Sequence, residues 1–289
     1  MAFSKNVYKA LLSHKAPLLQ SLRLNIYSHM CTTKEVRILT DMASARNLRK
    51  HLRFMICVLN VEIGEPLRFL ACLNNCETLE TLELKHSVCK DAPSSFCLKS
   101  LRTLRLDSVE FKDNESVLNL LSSCPNLEDL VVRRHYSSSR VKTFTIAVPS
   151  LQRLSIHNYA DISCGDYVIN APSLKYLKMK GFKAHEIGSF LIENSPELVE
   201  ANIIIYHANI LGSLGSLRRL SLETSAFEST FPTGSMFNEL VYLELSTFTV
   251  DWWNLLTRML DTSPNLRVLK LICTQQWHQY LCGLELQEE

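Results

Sequence analysis

Apolar residues return along this chain in one phrase, Leu-x-x-Leu-x-Leu and close variants, with polar residues filling the gaps. Its most complete copy is Cys124-Pro125-Asn126-Leu127-Glu128-Asp129-Leu130-Val131-Val132. Copies begin at Leu19, Leu79, Leu101, Leu127, Leu151, Leu174, Leu198, Leu217, Leu240 and Leu266. Their third apolar positions are Leu24, Leu84, Leu106, Val132, Ile156, Met179, Ile203, Leu222, Leu245 and Leu271. A distorted copy near Leu48 carries one residue too many. From Leu79 onward the starts are separated by 22, 26, 24, 23, 24, 19, 23 and 26 residues.

The second and third apolar residues of a copy stand two apart, so they point to one face of a short strand. The first leucine packs from the incoming turn. One copy cannot bury that face alone, so neighbours must stack and share a core. The spacings lie within or just below the range of leucine-rich repeats. The expected fold is therefore α/β: an irregular leucine-rich-repeat solenoid, one parallel strand per repeat, with a mixed helix and loop outer face. About eleven irregular repeats occupy 19–272, between an N-terminal flank at 1–18 and a tail at 273–289.

Helical periodicity predicts outer helices at 113–121 (Val117, Leu118 and Leu121 inward, Asp113 or Asn114 capping), 185–194 (Ile187, Phe190, Leu191) and 251–260 (Trp252, Leu255, Leu256, Met259). A fourth is expected at 66–74, with Leu67, Leu70 and Ala71. Segments 141–148 and 164–170 read as extended. Six of the nine prolines stand two residues before a first leucine, at Pro17, Pro125, Pro149, Pro172, Pro196 and Pro264. Proline ends the outer segment there and sends the chain into the strand. The ninth position of each copy, where such repeats usually carry an asparagine, holds Tyr27, Ser87, Val109, His135, Tyr159, Phe182, Tyr206, Ser225, Phe248 or Thr274. Apolar and aromatic packing is expected to replace the asparagine ladder.

Composition bounds the chemistry. With 46% hydrophobic residues the core is ample, and ten cysteines without regular spacing point to a reducing compartment, cytoplasmic or nuclear. Residues 201–217 carry no formal charge, but Asn202, His207, Asn209, Ser213 and Ser216 interrupt them, so no membrane span is expected. Net charge is +2, but 1–100 carries +6, 101–183 carries +4 and 184–289 carries −8. That asymmetry suits steering of a charged partner, and uneven surface drift explains it equally. No phosphate-binding glycine loop, nucleophile elbow or His-Glu-x-x-His motif occurs, so neither catalysis nor a cofactor is expected. Cys72, Cys76, Cys89 and Cys97 lack the paired spacing of a zinc site; Cys76 and Cys124, each three before a first leucine, read as packing residues.

Positions three, five and seven of each copy face away from the core. Arg105, Arg133, Arg153, His157, Lys178 and Lys180 then form a basic strip across four repeats, with Asp129 and Tyr176 beside it. Such a strip on the concave face suits an acidic or phosphorylated partner; ordinary solvated charge would produce the same residues. Nucleic-acid binding is not expected, because outward aromatic platforms are missing from the pattern.

The phrases Ser13-His14-Lys15-Ala16-Pro17-Leu18-Leu19, Leu120-Leu121-Ser122-Ser123-Cys124-Pro125-Asn126-Leu127, Val148-Pro149-Ser150-Leu151, Ala171-Pro172-Ser173-Leu174 and Ser263-Pro264-Asn265-Leu266 resemble the leucine-rich part of plant F-box proteins with a C-terminal FBD domain. The likeness covers roughly residues 10–272. Trp277, Gly283, Glu288 and Glu289 loosely resemble a truncated FBD segment. The resemblance implies the substrate-recognition part of a cullin-type ubiquitin ligase receptor, presenting a target protein of unknown identity. The adaptor-docking F-box finds no counterpart in these residues, so binding of the ligase adaptor is not expected. A small-molecule receptor using the concave face, and a truncated product with no retained role, are the alternatives.

Overall fold

The computed structural model describes residues 78–86, 88–89, 97–134, 141–158, 165–182, 189–205, 209–223, 236–247 and 252–273, two upstream strands, and a few isolated positions before them. The strands are β1 (Ser21–Tyr27), β2 (His51–Cys57), β3 (Thr81–Lys85), β4 (Val88–Cys89), β5 (Thr103–Asp107), β6 (Glu110–Phe111), β7 (Asp129–Arg134) and β8 (Thr143–Ala147). They continue with β9 (Arg153–Asn158), β10 (Asp166–Asn170), β11 (Tyr176–Phe182), β12 (Phe190–Asn194), β13 (Glu200–Ile205), β14 (Arg219–Glu223), β15 (Tyr242–Thr247) and β16 (Val268–Cys273). Helices α1 (Asn114–Ser122) and α2 (Trp252–Asp261), with a 3-10 turn at Asn209–Ser213, complete the described elements.

Eleven strands form one parallel sheet in the order β1-β2-β3-β5-β7-β9-β11-β13-β14-β15-β16. Each belongs to one copy of the phrase, including the distorted copy, which supplies β2. Equivalent positions pair directly: Leu82, Leu104, Leu130, Leu154, Leu177, Ala201, Leu220, Leu243 and Leu269 form one row across nine strands. From Leu79 to Leu245 the three apolar positions of every copy are almost wholly shielded from solvent. The row fails at its last member. Leu269 is 40% and Leu271 45% exposed, because β16 is an edge strand and no described strand packs beyond it.

Among the described residues, the strands of the long sheet from β5 onward are entered by a turn whose first carbonyl accepts the N–H of the first leucine. It recurs as Leu127 on Cys124 (3.2 Å), Leu151 on Val148 (3.2 Å), Leu174 on Ala171 (3.0 Å), Leu198 on Ser195 (3.2 Å) and Leu266 on Ser263 (3.2 Å). Proline stands second in each of these turns, where its fixed φ is pre-set. Beyond the turn, one carbonyl of the preceding repeat accepts two successive N–H groups: Glu80 O from Arg102 and Thr103, Arg102 O from Glu128 and Asp129, Glu128 O from Gln152 and Arg153. Side-chain amides join this ladder at the turn, with Asn126 donating to Lys99 O (2.7 Å) and Asn265 to Asn238 O (2.8 Å). At the ninth position only Val109 has a described side chain, and it packs against the core; Tyr27 and Phe182 end β1 and β11, and the other aromatic residues expected to fill that turn lie outside the described residues.

The outer layer is mixed. Asp113 caps α1 by accepting the Ser116 N–H at 2.8 Å, and α1 buries Val117, Leu120 and Leu121 while Leu118 is turned outward. The inward stripe thus runs at i, i+3 and i+4 from Val117, one step off the expected set. Helix α2 buries Leu255, Leu256 and Met259, with Trp252 against the core. The helix expected at 185–194 is replaced at Phe190–Asn194 by β12, and its first residues lie outside the described set, as does the helix expected at 66–74. A five-residue apolar run fits either element; the open edge of β10 decides, since Tyr167 pairs with Phe190 and Val168 with Leu191. Strands β8 and β10 lie in the expected extended segments and form, with β12, a second parallel sheet, and β4 pairs β6. Phe111, Phe144, Tyr167 and Phe190 form a row of ring contacts in this outer layer, edge to face, tilted and then stacked, with centroids 6.0, 5.8 and 5.0 Å apart.

Candidate functional site on the open face of the long sheet

On the face of the long sheet away from the core, positions three, five and seven form three parallel rows. The fifth-position row reads Glu83, Arg105, Val131, Ser155, Lys178, Asn202, Ser221, Glu244 and Lys270. The seventh-position row reads Lys85, Asp107, Arg133, His157, Lys180, Ile204, Glu223, Ser246 and Ile272. In-register pairing of adjacent strands brings residues some 25 apart in sequence to roughly 4.8 Å of each other.

A depression of about 260 Å³ opens between these rows, lined by Glu83, Arg105, Leu106, Asp107, Val131, Arg133, Ser155, His157 and Lys178. Its shape follows from side-chain length. Val131 and Ser155 are short and form a floor, while Arg105 and Lys178 stand at either end of the same row and Arg133 and His157 close one side. Arg105 and Arg133 are exposed; Lys178 is half-buried, and His157 is 91% shielded, more than a seventh-position residue was expected to be. None of Arg105, Arg133 and Lys178 makes an ion pair among the described residues. At the β3 end, Lys85 reaches both Glu83 (3.6 Å) and Asp107 (3.5 Å).

Four of the eight predicted binding residues, Arg105, Arg133, His157 and Lys178, therefore meet in one place. Arg153 and Asp129 do not join them. They pair with each other in the third-position row, Arg153 Nη2 donating to Asp129 Oδ2 at 2.6 Å beside a second contact from Nε. That bidentate bond and the adjacent negative charge raise the Arg153 pKa. Tyr176 is half-buried beside this pair, its hydroxyl pKa raised by burial and then by Glu200. Lys180 neighbours His157 by register but lies outside the depression. Glu83, the acidic wall, stands at the fifth position of its copy but is not among the predicted residues.

The other end of the face holds a network the sequence reading did not find. Tyr242 donates to Glu244 (2.8 Å), Lys270 reaches the same carboxylate (3.0 Å), and the Arg219 guanidinium lies 4.3 Å over the Tyr242 ring while extending to Glu200 (3.9 Å). Hydrogen bonds from Tyr242 and then Lys270 lower the Glu244 pKa. Cys124, by contrast, is fully buried, and burial pushes its thiol up to about 11. It packs beneath the turn as its place in the repeat implied. Cys72 and Cys76 lie outside the described residues. Among the described residues no group of three His, Cys, Asp or Glu side chains converges as metal ligands, and no helix is long and apolar enough to cross a membrane.

A long parallel sheet with one strand per Leu-x-x-Leu-x-Leu phrase, and a polar face left open along its length, defines a leucine-rich-repeat protein. Comparison with known families agrees. Residues 50–199 match the model for the leucine-rich repeats of the FBD-associated F-box protein At5g56370, and the chain belongs to that F-box/FBD/LRR-repeat family. In Arabidopsis thaliana it is 53% identical over 288 residues to the putative F-box/FBD/LRR-repeat protein At4g13965, covering 97% of this chain and 65% of that one. It is 52% identical to the putative FBD-associated F-box protein At1g55030 (93% and 63% covered) and 50% identical to the F-box/FBD/LRR-repeat protein At3g26920 (93% and 62% covered). The chain thus spans a little under two thirds of these relatives' length.

Proposed function

We propose that residues 19–272 act as one protein-interaction scaffold that holds a target protein on the open face of the long sheet. In the family context, that task is target recognition for a cullin-type ubiquitin ligase. The observation that carries this reading is the face itself: three in-register rows of mostly polar and charged side chains across nine consecutive strands. Solenoids bind along such continuous surfaces. Adaptor docking and catalysis are not assigned to these residues. The size of the depression also favours a macromolecular partner over a small-molecule receptor. At about 260 Å³ it falls below the roughly 300–1,000 Å³ that encloses a drug-sized ligand.

Cross-linking capture from plant extract tests the reading. Charge reversal at Arg133 and Lys178 should remove a defined set of captured proteins that reversal at Arg258, on outer helix α2, leaves in place. Identical capture by all three chains would overturn it.

A further inference from the structure

We propose that the depression at Arg105, Arg133, His157 and Lys178 is a receptor for one phosphorylated side chain of the target, a phosphoserine or phosphothreonine on an extended segment. This rests on the scaffold reading above and deepens it. Two arginines and a lysine, all without ion-pair partners among the described residues, surround a floor of Val131 and Ser155. With Lys85 counted against Glu83 and Asp107 along with them, Arg105, Arg133 and Lys178 leave an excess of two positive charges, more than one carboxylate requires. They match the charge of roughly −1.5 to −2 and the three acceptor oxygens of a phosphomonoester, and arginine offers the planar fork that binds such oxygens in pairs. The Ser155 hydroxyl in the floor adds a neutral donor.

The surroundings limit how far negative charge can extend. On one side stand Glu83 and Asp107, already held by Lys85. On the other, Glu200 stands on β13 beside Asn202 and Ile204, and Glu223 and Glu244 follow on β14 and β15. The anion-accepting stretch therefore runs only from β5 to β11, about 14 Å at the usual strand spacing. A nucleic acid or polyphosphate laid along the rows would meet carboxylates at both ends, and repulsion of that kind gives specificity as surely as attraction does. An isolated phosphate on an otherwise neutral or mildly apolar segment meets only Glu83 and Asp107, both within reach of Lys85.

The test uses the 289-residue chain and labelled degenerate peptide pools with phosphoserine, serine or glutamate fixed at the centre, read by fluorescence polarisation. The phosphoserine pool should bind at least about tenfold tighter than either other pool, a difference of roughly 1.4 kcal/mol. Arg105→Gln and Arg133→Gln should each erase most of that preference, and Arg219→Gln should leave it intact. Equal binding of the phosphoserine and serine pools by the unaltered chain overturns the proposal, whatever the variants do. So does stronger competition by tripolyphosphate or a short oligouridylate than by the phosphoserine pool at equal phosphate concentration. If the pools bind equally while charge reversal at Arg133 and Lys178 still abolishes cross-linked capture, the phosphate receptor alone fails. If capture is also unchanged, the scaffold reading fails with it.

Discussion

Gly181 offers the sharpest test of how this array is held. It is the eighth residue of its repeat, with φ +88°, at the point where the pairing of β11 with β13 skips a residue between Lys180 and Phe182. A Cβ there would stand 2.1 Å from the Asn158 carbonyl oxygen of the preceding repeat. Alanine carries two costs: roughly 1–2 kcal/mol for a left-handed backbone, and about 1–3 kcal/mol for overlap that only a backbone shift can relieve. A sum near 3 kcal/mol corresponds to a Tm lower by about 6–12 °C for a chain of this order of size. Because a solenoid is coupled only through neighbours, the damage should appear as decoupling at the β9–β11–β13 contacts. Denaturant unfolding followed by circular dichroism reports the whole sheet, whereas tryptophan fluorescence reports mainly Trp252 and Trp253, stacked 4.1 Å apart on α2. In Gly181→Ala the two transitions should separate. The eighth position supplies its own controls, since His86 (φ +48°) and Ser108 (φ +52°) turn the same corner. Ser108→Gly should be neutral or stabilising by up to about 1 kcal/mol. Gly215→Ala, where φ is not positive and the nearest contact is 3.1 Å, should cost less than about 1 kcal/mol. A Tm for Gly181→Ala within a degree of the parent, or equal losses in Gly181→Ala and Ser108→Gly, would refute the reasoning.

Two further outcomes follow from titrating groups. With its pKa near 11, Cys124 holds about 0.1% thiolate at pH 8 against roughly a quarter for an ordinary cysteine. Mass-spectrometric alkylation mapping of the native chain should therefore find exposed Cys97 modified long before buried Cys124; equal rates would show that the turn is not packed as described. Glu244 has a lowered pKa in the folded protein, so its contribution is present above its unfolded value, near 4.3, and is lost as pH falls through the folded one. Amide protection in β15 and β16, relative to intrinsic exchange at each pH, should fall below about pH 4.3 in the parent, and less steeply in Glu244→Gln. A parallel pH response in both chains would exclude Glu244 as the source.

Where sequence was enough, a single periodicity was at work. Leucines at fixed offsets fix which face of each strand is inward, and Pro125 or Pro264 marks the turn before it, so sheet, register and the three open rows were all readable. Where sequence fell short, a choice between neighbours decided. Phe190 and Leu191 suit a helix until β10 presents an unpaired edge to them. Leu118 and Leu120 are equivalent by type, and only the cap at Asp113 phases the helix so that Leu120 turns inward. The Phe111, Phe144, Tyr167 and Phe190 row lay in outer segments of different type, so the leucine phrase gave no hint of it. At the site, register predicted which cations would be neighbours but not their partners. Only the folded structure separates Arg153, neutralised by Asp129, from Arg133, which has no ion pair among the described residues.

The uniform register of the long sheet makes its open face a ruler. Strands lie about 4.7–4.9 Å apart, so every second strand falls at about 9.4–9.8 Å. A polyproline II segment completes a turn in three residues of about 3.1 Å each, advancing about 9.3 Å. Laid across the strands, such a segment would meet alternate repeats with every third side chain and keep step over several turns, whereas an extended strand, repeating its facing side chains near 6.8 Å, would drift out of phase within two. A segment spaced in threes, and free of internal hydrogen bonds, would keep step with this lattice of rows.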